Sequence, residues 1–171
     1  MKKMLVACVL MAVAVGCSKQ EANRKAAPVK VPAQFVNAAP AGKATPIPEA
    51  RNLEPGTDVV LAGRVMGVRE PFVNGRALFI LGDEATITPC NALDDDHCSM
   101  PWDACCDPME VRAAGTASVQ LLDDGGNVLA LGLKGVGGLK ELSKVTVAGT
   151  VAAASTPEAF VVNASALFVE P

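Results

Sequence analysis

Residues 88–108 read TPCNALDDDHCSMPWDACCDP and hold Cys90, Cys98, Cys105 and Cys106, together with the chain's only histidine, His97, and its only tryptophan, Trp102. Cysteines clustered in even number can form disulfides, bind a soft metal or do thiol redox chemistry. A loop of this length without regular structure needs a fastening inside a domain, and two disulfides would each contribute about 2–4 kcal/mol. Joining Cys105 to its neighbour Cys106 would close a strained ring, so both are expected to reach back to Cys90 and Cys98; which goes to which stays open. The metal alternative uses the same four thiolates with His97, for zinc or copper. Against it, the spacing C-x7-C-x6-C-C lacks the close pairs of structural zinc sites, and Asp94, Asp95 and Asp96 lack the alternate spacing and glycine of a calcium loop. The redox alternative lacks C-x-x-C. The reading is structural disulfides, with no cofactor and no metal favoured. Pro101, Trp102 and Asp103 are the candidate contact surface.

No enzyme is compelled by the rest of the chain. His97 is the sole imidazole, no Gly-x-Ser-x-Gly element occurs, and Asp123-Asp124 belongs to a turn. Gly135, Gly137 and Gly138 do not make a phosphate-binding fingerprint.

The elements that must position the loop read as β. Val59–Val68 places Val59, Leu61, Gly63 and Val65 on one face, and Val145–Ala152 does the same with Val145, Val147, Gly149 and Val151. A glycine in mid-strand implies a bulge, a coil or a close backbone approach, as closing a small barrel requires. Further candidates are Ala77–Leu81, Thr116–Leu122, Val128–Leu133 and Ala159–Val169, the last alternating at Val162, Ala164, Ala166 and Phe168. Asp123-Asp124-Gly125-Gly126-Asn127 is a hairpin signal, and Leu139 and Leu142 allow one helical turn over Gly138–Ser143. Strand, strand, strand, short helix, strand, strand resembles an OB-fold, which implies an all-β, Greek-key barrel over residues 54–171 with a cysteine-rich insertion at 88–108. Six strand candidates compete for five places, so one is expected to be an extra hairpin arm.

The amino terminus reads as an address. Met1-Lys2-Lys3 precedes an apolar run from Met4 to Val15, too short to span a bilayer, and small residues lead to Cys17. Ala14-Val15-Gly16-Cys17 resembles a bacterial lipobox. That resemblance implies removal of residues 1–16, lipidation of Cys17 and anchorage to a membrane; Ser18 in place of aspartate implies the outer membrane, facing the periplasm. Residues 17–53 read as a flexible Ala/Pro/Lys linker, broken by Pro28, Pro32, Pro40, Pro46 and Pro48. The linker carries a net charge of +4, and residues 54–171, with seven basic and sixteen acidic side chains, carry −9.

The loop residues Cys90, Cys98, Pro101, Trp102, Asp103, Cys105 and Cys106 also resemble a group of uncharacterised bacterial lipoproteins in which a barrel carries a Cys…Cys-x-x-Pro-Trp-Asp-x-Cys-Cys loop. The resemblance implies a family and no activity. Nucleic acid is not an expected partner, because the domain is acidic, lacks tyrosine, and has most of its few Phe at core positions. The expected role is a non-enzymatic binding or assembly module of the cell envelope, with an envelope protein or a glycan as partner.

Overall fold

Strict alternation produces the strands. In β1 (Asp58–Val65) residues Val59, Leu61, Gly63 and Val65 are buried and the intervening side chains face outward. The strands β2 (Leu78–Gly82), β3 (Thr116–Gln120) and β4 (Lys144–Val151) follow the same two-residue period, which β5 (Val161–Val169) keeps as far as Ala164. The computed structural model describes residues 30–94, 98–156 and 158–171. The strands close in the order β1-β2-β3-β5-β4, with β4 returning to β1. Only β3 and β5 run parallel; every other pair is antiparallel. This is the five-stranded Greek-key closure of an OB-type barrel.

The two mid-strand glycines have the close-approach role expected of them. A Cβ on Gly63 would lie 2.2 Å from the carbonyl oxygen of Gly82, and one on Gly149 would lie 2.2 Å from that of Asn163. Beside Gly149 the β4–β5 register shifts: Ala148 pairs with Ala166 and Gly149 with Ala164, leaving Ser165 as the extra residue of a bulge. The bulge corrects the expected face of β5. Val162 and Ala164 point inward, but beyond Ser165 the buried position moves to Leu167 rather than Ala166 and Phe168. A single inserted residue exchanges the two faces of a strand.

Two other elements differ from expectation. The hairpin turn forms, with Asp123 Oδ1 accepting the amides of Gly125 and Asn127, both at 2.9 Å. Its second arm, Val128–Leu133, is not a strand; it makes one bridge, Leu122 with Val128, and its Leu129 carbonyl accepts the Ala77 amide. That resolves six candidates into five strands. The expected turn over Gly138–Ser143 sits earlier, as a 3-10 turn at Val136–Gly138, because Gly135, Gly137 and Gly138 all take positive φ.

The segment assigned to the tether requires the largest correction. Residues 34–53 pack on the barrel. Phe35 bridges to Leu167, and a single helical turn, α1 (Ile47–Ala50), buries Ile47 and Ala50 completely. Pro46 stands at the N-cap of α1 and Pro48 in its first turn, where proline's missing N–H costs no intrahelical bond. The buried carboxylate of Asp83 accepts the Ile47 amide at 2.9 Å, and the Arg51 guanidinium donates to the Thr116 carbonyl at 3.1 Å. Such contacts between residues far apart in sequence leave no local period. The tether up to residue 29, the lipobox and Cys17 lie outside the described residues. Among the described residues no helix is long and apolar enough to cross a membrane.

Candidate functional site

Between β2 and β3 the chain makes its longest excursion between strands, ending in a short helix, α2 (Met109–Ala114). Main-chain hydrogen bonds fasten it. The Cys90 amide donates to Asp103 O at 2.7 Å and the Asn91 amide to Pro101 O at 3.0 Å, so the two arms of the loop zip together. Gly67 N–H donates to Trp102 O, and the Trp102 indole Nε1–H donates to Arg69 O, both at 2.9 Å, tying the loop to the segment after β1. Asp107 accepts the Thr88 amide at 2.7 Å. Beneath lies a small apolar cluster of Met66, Ile87 and Ala104, against which Trp102, Val111 and Leu142 pack. The loop is therefore positioned on the barrel by contacts that do not involve sulfur.

This framework gathers the four cysteines. Cys90, in a 3-10 turn, is buried; Cys98 is half-buried; Cys105 and Cys106 are exposed. The Sγ atoms of Cys90 and Cys105 are 3.5 Å apart, and those of Cys98 and Cys105 are 3.9 Å apart. The sulfurs of Cys90, Cys105 and Cys106 all lie within 4.8 Å of one another. The Cys90–Cys105 and Cys98–Cys105 Sγ–Sγ separations are both longer than the about 2.05 Å of a disulfide. Burial pushes the Cys90 thiol up to about 12, and its hydrogen bond with Cys105 acts in the same direction. Cys106 is also raised, first by its hydrogen bond with Cys105. Both shifts oppose the lowered pKa that activates a redox or catalytic thiol. His97, with Asp95 and Asp96, lies outside the described residues.

The contact residues separate. Pro101 and Trp102 are half-buried and reach the surface. Asp103 does not: it is 8 % exposed and its Oδ1 accepts the Ala104 amide at 2.8 Å, so its carboxylate caps the loop's own backbone. Trp102 instead forms one wall of an open groove of about 410 Å³. The groove draws Arg69, Phe72 and Asn74 from the β1–β2 loop, Met100 and Trp102 from the insertion, and Lys134 and Glu141 from the β3–β4 connection. The β1–β2 loop is one of the two that OB barrels use for ligands. Lys134 Nζ pairs with Glu141 Oε1 at 2.5 Å across it. Desolvation pushes the Glu141 carboxyl up, but hydrogen bonds from Lys134 and its own main chain, with the Lys134 charge, outweigh it and leave the group below its ordinary value. Arg69, Lys134 and Glu141 carry no local sequence signal; only closure of the barrel makes them neighbours of Trp102.

Fold and site together define an OB-type barrel carrying a cysteine-rich insertion beside a mixed-charge groove. No family model and no curated protein matches the chain. Among solved structures, it is similar to the hypothetical protein ygiW from E. coli, at TM-score 0.40 and 16% identity, over 77% of this chain and 94% of that one.

Proposed function

We propose that the chain is a lipid-anchored envelope protein whose barrel serves as a non-enzymatic binding or assembly module, with the groove beside Trp102 as its contact surface. The anchor is the lipidated Cys17, and the protein faces the periplasm from the outer membrane. The observation that supports the contact role is the groove itself: three segments distant in sequence converge on it, and the Trp102 ring is oriented there by its bond to Arg69 O. Its paired charges of both signs suit an envelope protein or a neutral glycan and not a polyanion.

The test has two parts. Cys17→Ala is expected to abolish labelling by a fatty acid and release the chain from the membrane fraction; unchanged labelling sinks the anchor. A photo-crosslinker at Asn74, in the groove, is expected to trap an envelope partner that one at Ser165, on β5, does not. Trp102→Ala is expected to remove that product while the barrel stays folded. If every crosslinked partner survives the substitution, the groove is not the contact surface.

A further inference from the structure

No cysteine lines the groove, so the thiol cluster is chemistry that the contact surface leaves unused. The geometry points to a site for one thiophilic cation, Zn²⁺ or Cu⁺, held by the mutually close sulfurs of Cys90, Cys105 and Cys106, with Cys98, whose sulfur approaches that of Cys105, as the fourth.

Distance is the first argument. With Zn–S bonds of about 2.3 Å, the sulfurs of a tetrahedral site lie about 3.8 Å apart. The observed separations of 3.5 Å and 3.9 Å bracket that edge, and Cys106 stays within 4.8 Å of both Cys90 and Cys105. Arrangement is the second. Disulfides join sulfurs two by two, whereas Cys105 stands nearly equally close to Cys90 and Cys98, as the shared corner of a cluster. The third is donor type. The carboxylates of Asp103 and Asp107 are each turned onto a backbone amide, which leaves sulfur as the donor set among the described residues and selects soft cations over Ca²⁺ or Mg²⁺. Preorganisation is the fourth. Cys90 is fixed by the zip to Asp103, while the exposed Cys105 and Cys106 leave an approach from solvent. The unusual sequence spacing is no obstacle, because the two zipped arms bring the ligands together in space. Each thiol that coordinates gives up its proton to solvent and its sulfur keeps its oxidation state, so no oxidant or reductant is needed.

This proposal and the two disulfides expected from sequence exclude one another, and the native chain decides between them without mutation. The full chain, purified from the envelope in mild detergent, is to be assayed for metal content and for alkylation of each loop cysteine by peptide mapping. The expected result is one Zn or Cu per chain, with the four loop thiols alkylated fully only after a chelator strips the metal. Reloading with Zn²⁺ alone and with Cu⁺ alone separates the two cations, and Co²⁺ is expected to give the intense absorption of a tetrahedral thiolate site. Cys105→Ser is expected to abolish binding and Cys98→Ser to weaken it by at least about tenfold, the lower end of what even outer-sphere partners cost; Ser99→Ala, in the same loop, is expected to leave the stoichiometry unchanged. Cysteines that resist alkylation after chelation, with a mass four hydrogens below the reduced chain, overturn the proposal in favour of disulfides. Freely alkylated thiols that take up neither Zn²⁺ nor Cu⁺ overturn it equally. Neither result touches the groove, so the two proposals fail separately.

Discussion

The barrel and the cysteine loop are built by different physics. Among the described residues, the main apolar cluster has twenty buried members, whereas the cluster under the loop has three. A fully buried aliphatic or aromatic side chain contributes about 1.5–3 kcal/mol, so the barrel's shape follows from many redundant terms. The loop has few such terms and relies on directed ones: the amide zip at Cys90 and Asn91, the indole bond to Arg69 and the carboxylate bonds of Asp103 and Asp107. An element held this way can be rearranged by a ligand or by sulfur chemistry while the barrel stays intact. Function is therefore to be sought in the loop and the groove it walls.

Breaking the barrel side of that contrast should have the largest effect. Phe79→Ala removes a side chain with no solvent exposure and is expected to cost about 3–5 kcal/mol in chemical denaturation, lowering the midpoint for the whole domain. Next comes the clip between the barrel and the segment before it. Asp83→Ala strands the buried amide of Ile47 and removes the acceptor of the exposed Ala85 amide, at a cost of about 1–3 kcal/mol. Tryptic cleavage after Arg51 is expected to accelerate; unchanged cleavage would return that segment to the tether.

The loop side should respond locally. Trp102→Phe keeps a ring but deletes the bond to Arg69 O, and is expected to cost about 0.5–1.5 kcal/mol. Hydrogen exchange should quicken at Gly67, Cys90 and Asn91 and remain slow in β1 and β4. A uniform rise across the barrel would show that the two regions are not separable. Smallest is Lys134→Met, expected to cost about 0.2–1 kcal/mol as a partly exposed pair. Because the folded pKa of Glu141 is depressed, this contribution is present above the unfolded value of 4.5 and is lost as pH falls through the lower folded value. Wild type and variant should therefore converge in stability at acid pH and differ at neutral pH.

Much of the barrel was legible in the chain because its signals are local. A period of two in β1 and β4, with glycine at Gly63 and Gly149, states both the strand and its need for close approach. The loop advertised itself through composition, and Trp102 was recognisable as a singular residue. Local reading failed where one residue changes meaning through a distant partner. The bulge at Ser165 turned Leu167 inward in place of Ala166, and Val128–Leu133 forms no continuous ladder: Leu129 donates to Leu121 O and accepts the Ala77 amide. Asp103, read as a contact, is consumed by the Ala104 amide.

By itself the sequence determined an all-β Greek-key barrel with its glycine bends and a cysteine-rich insertion, because alternation and turn chemistry act between near neighbours. Only the tertiary structure decided that residues 34–53 belong to the barrel, that Trp102 lines one groove with Lys134 and Glu141, and that four sulfurs spaced over seventeen residues share one corner of the molecule. Those facts depend on closure of the β1-β2-β3-β5-β4 ring, which sets distances between residues that no local period relates.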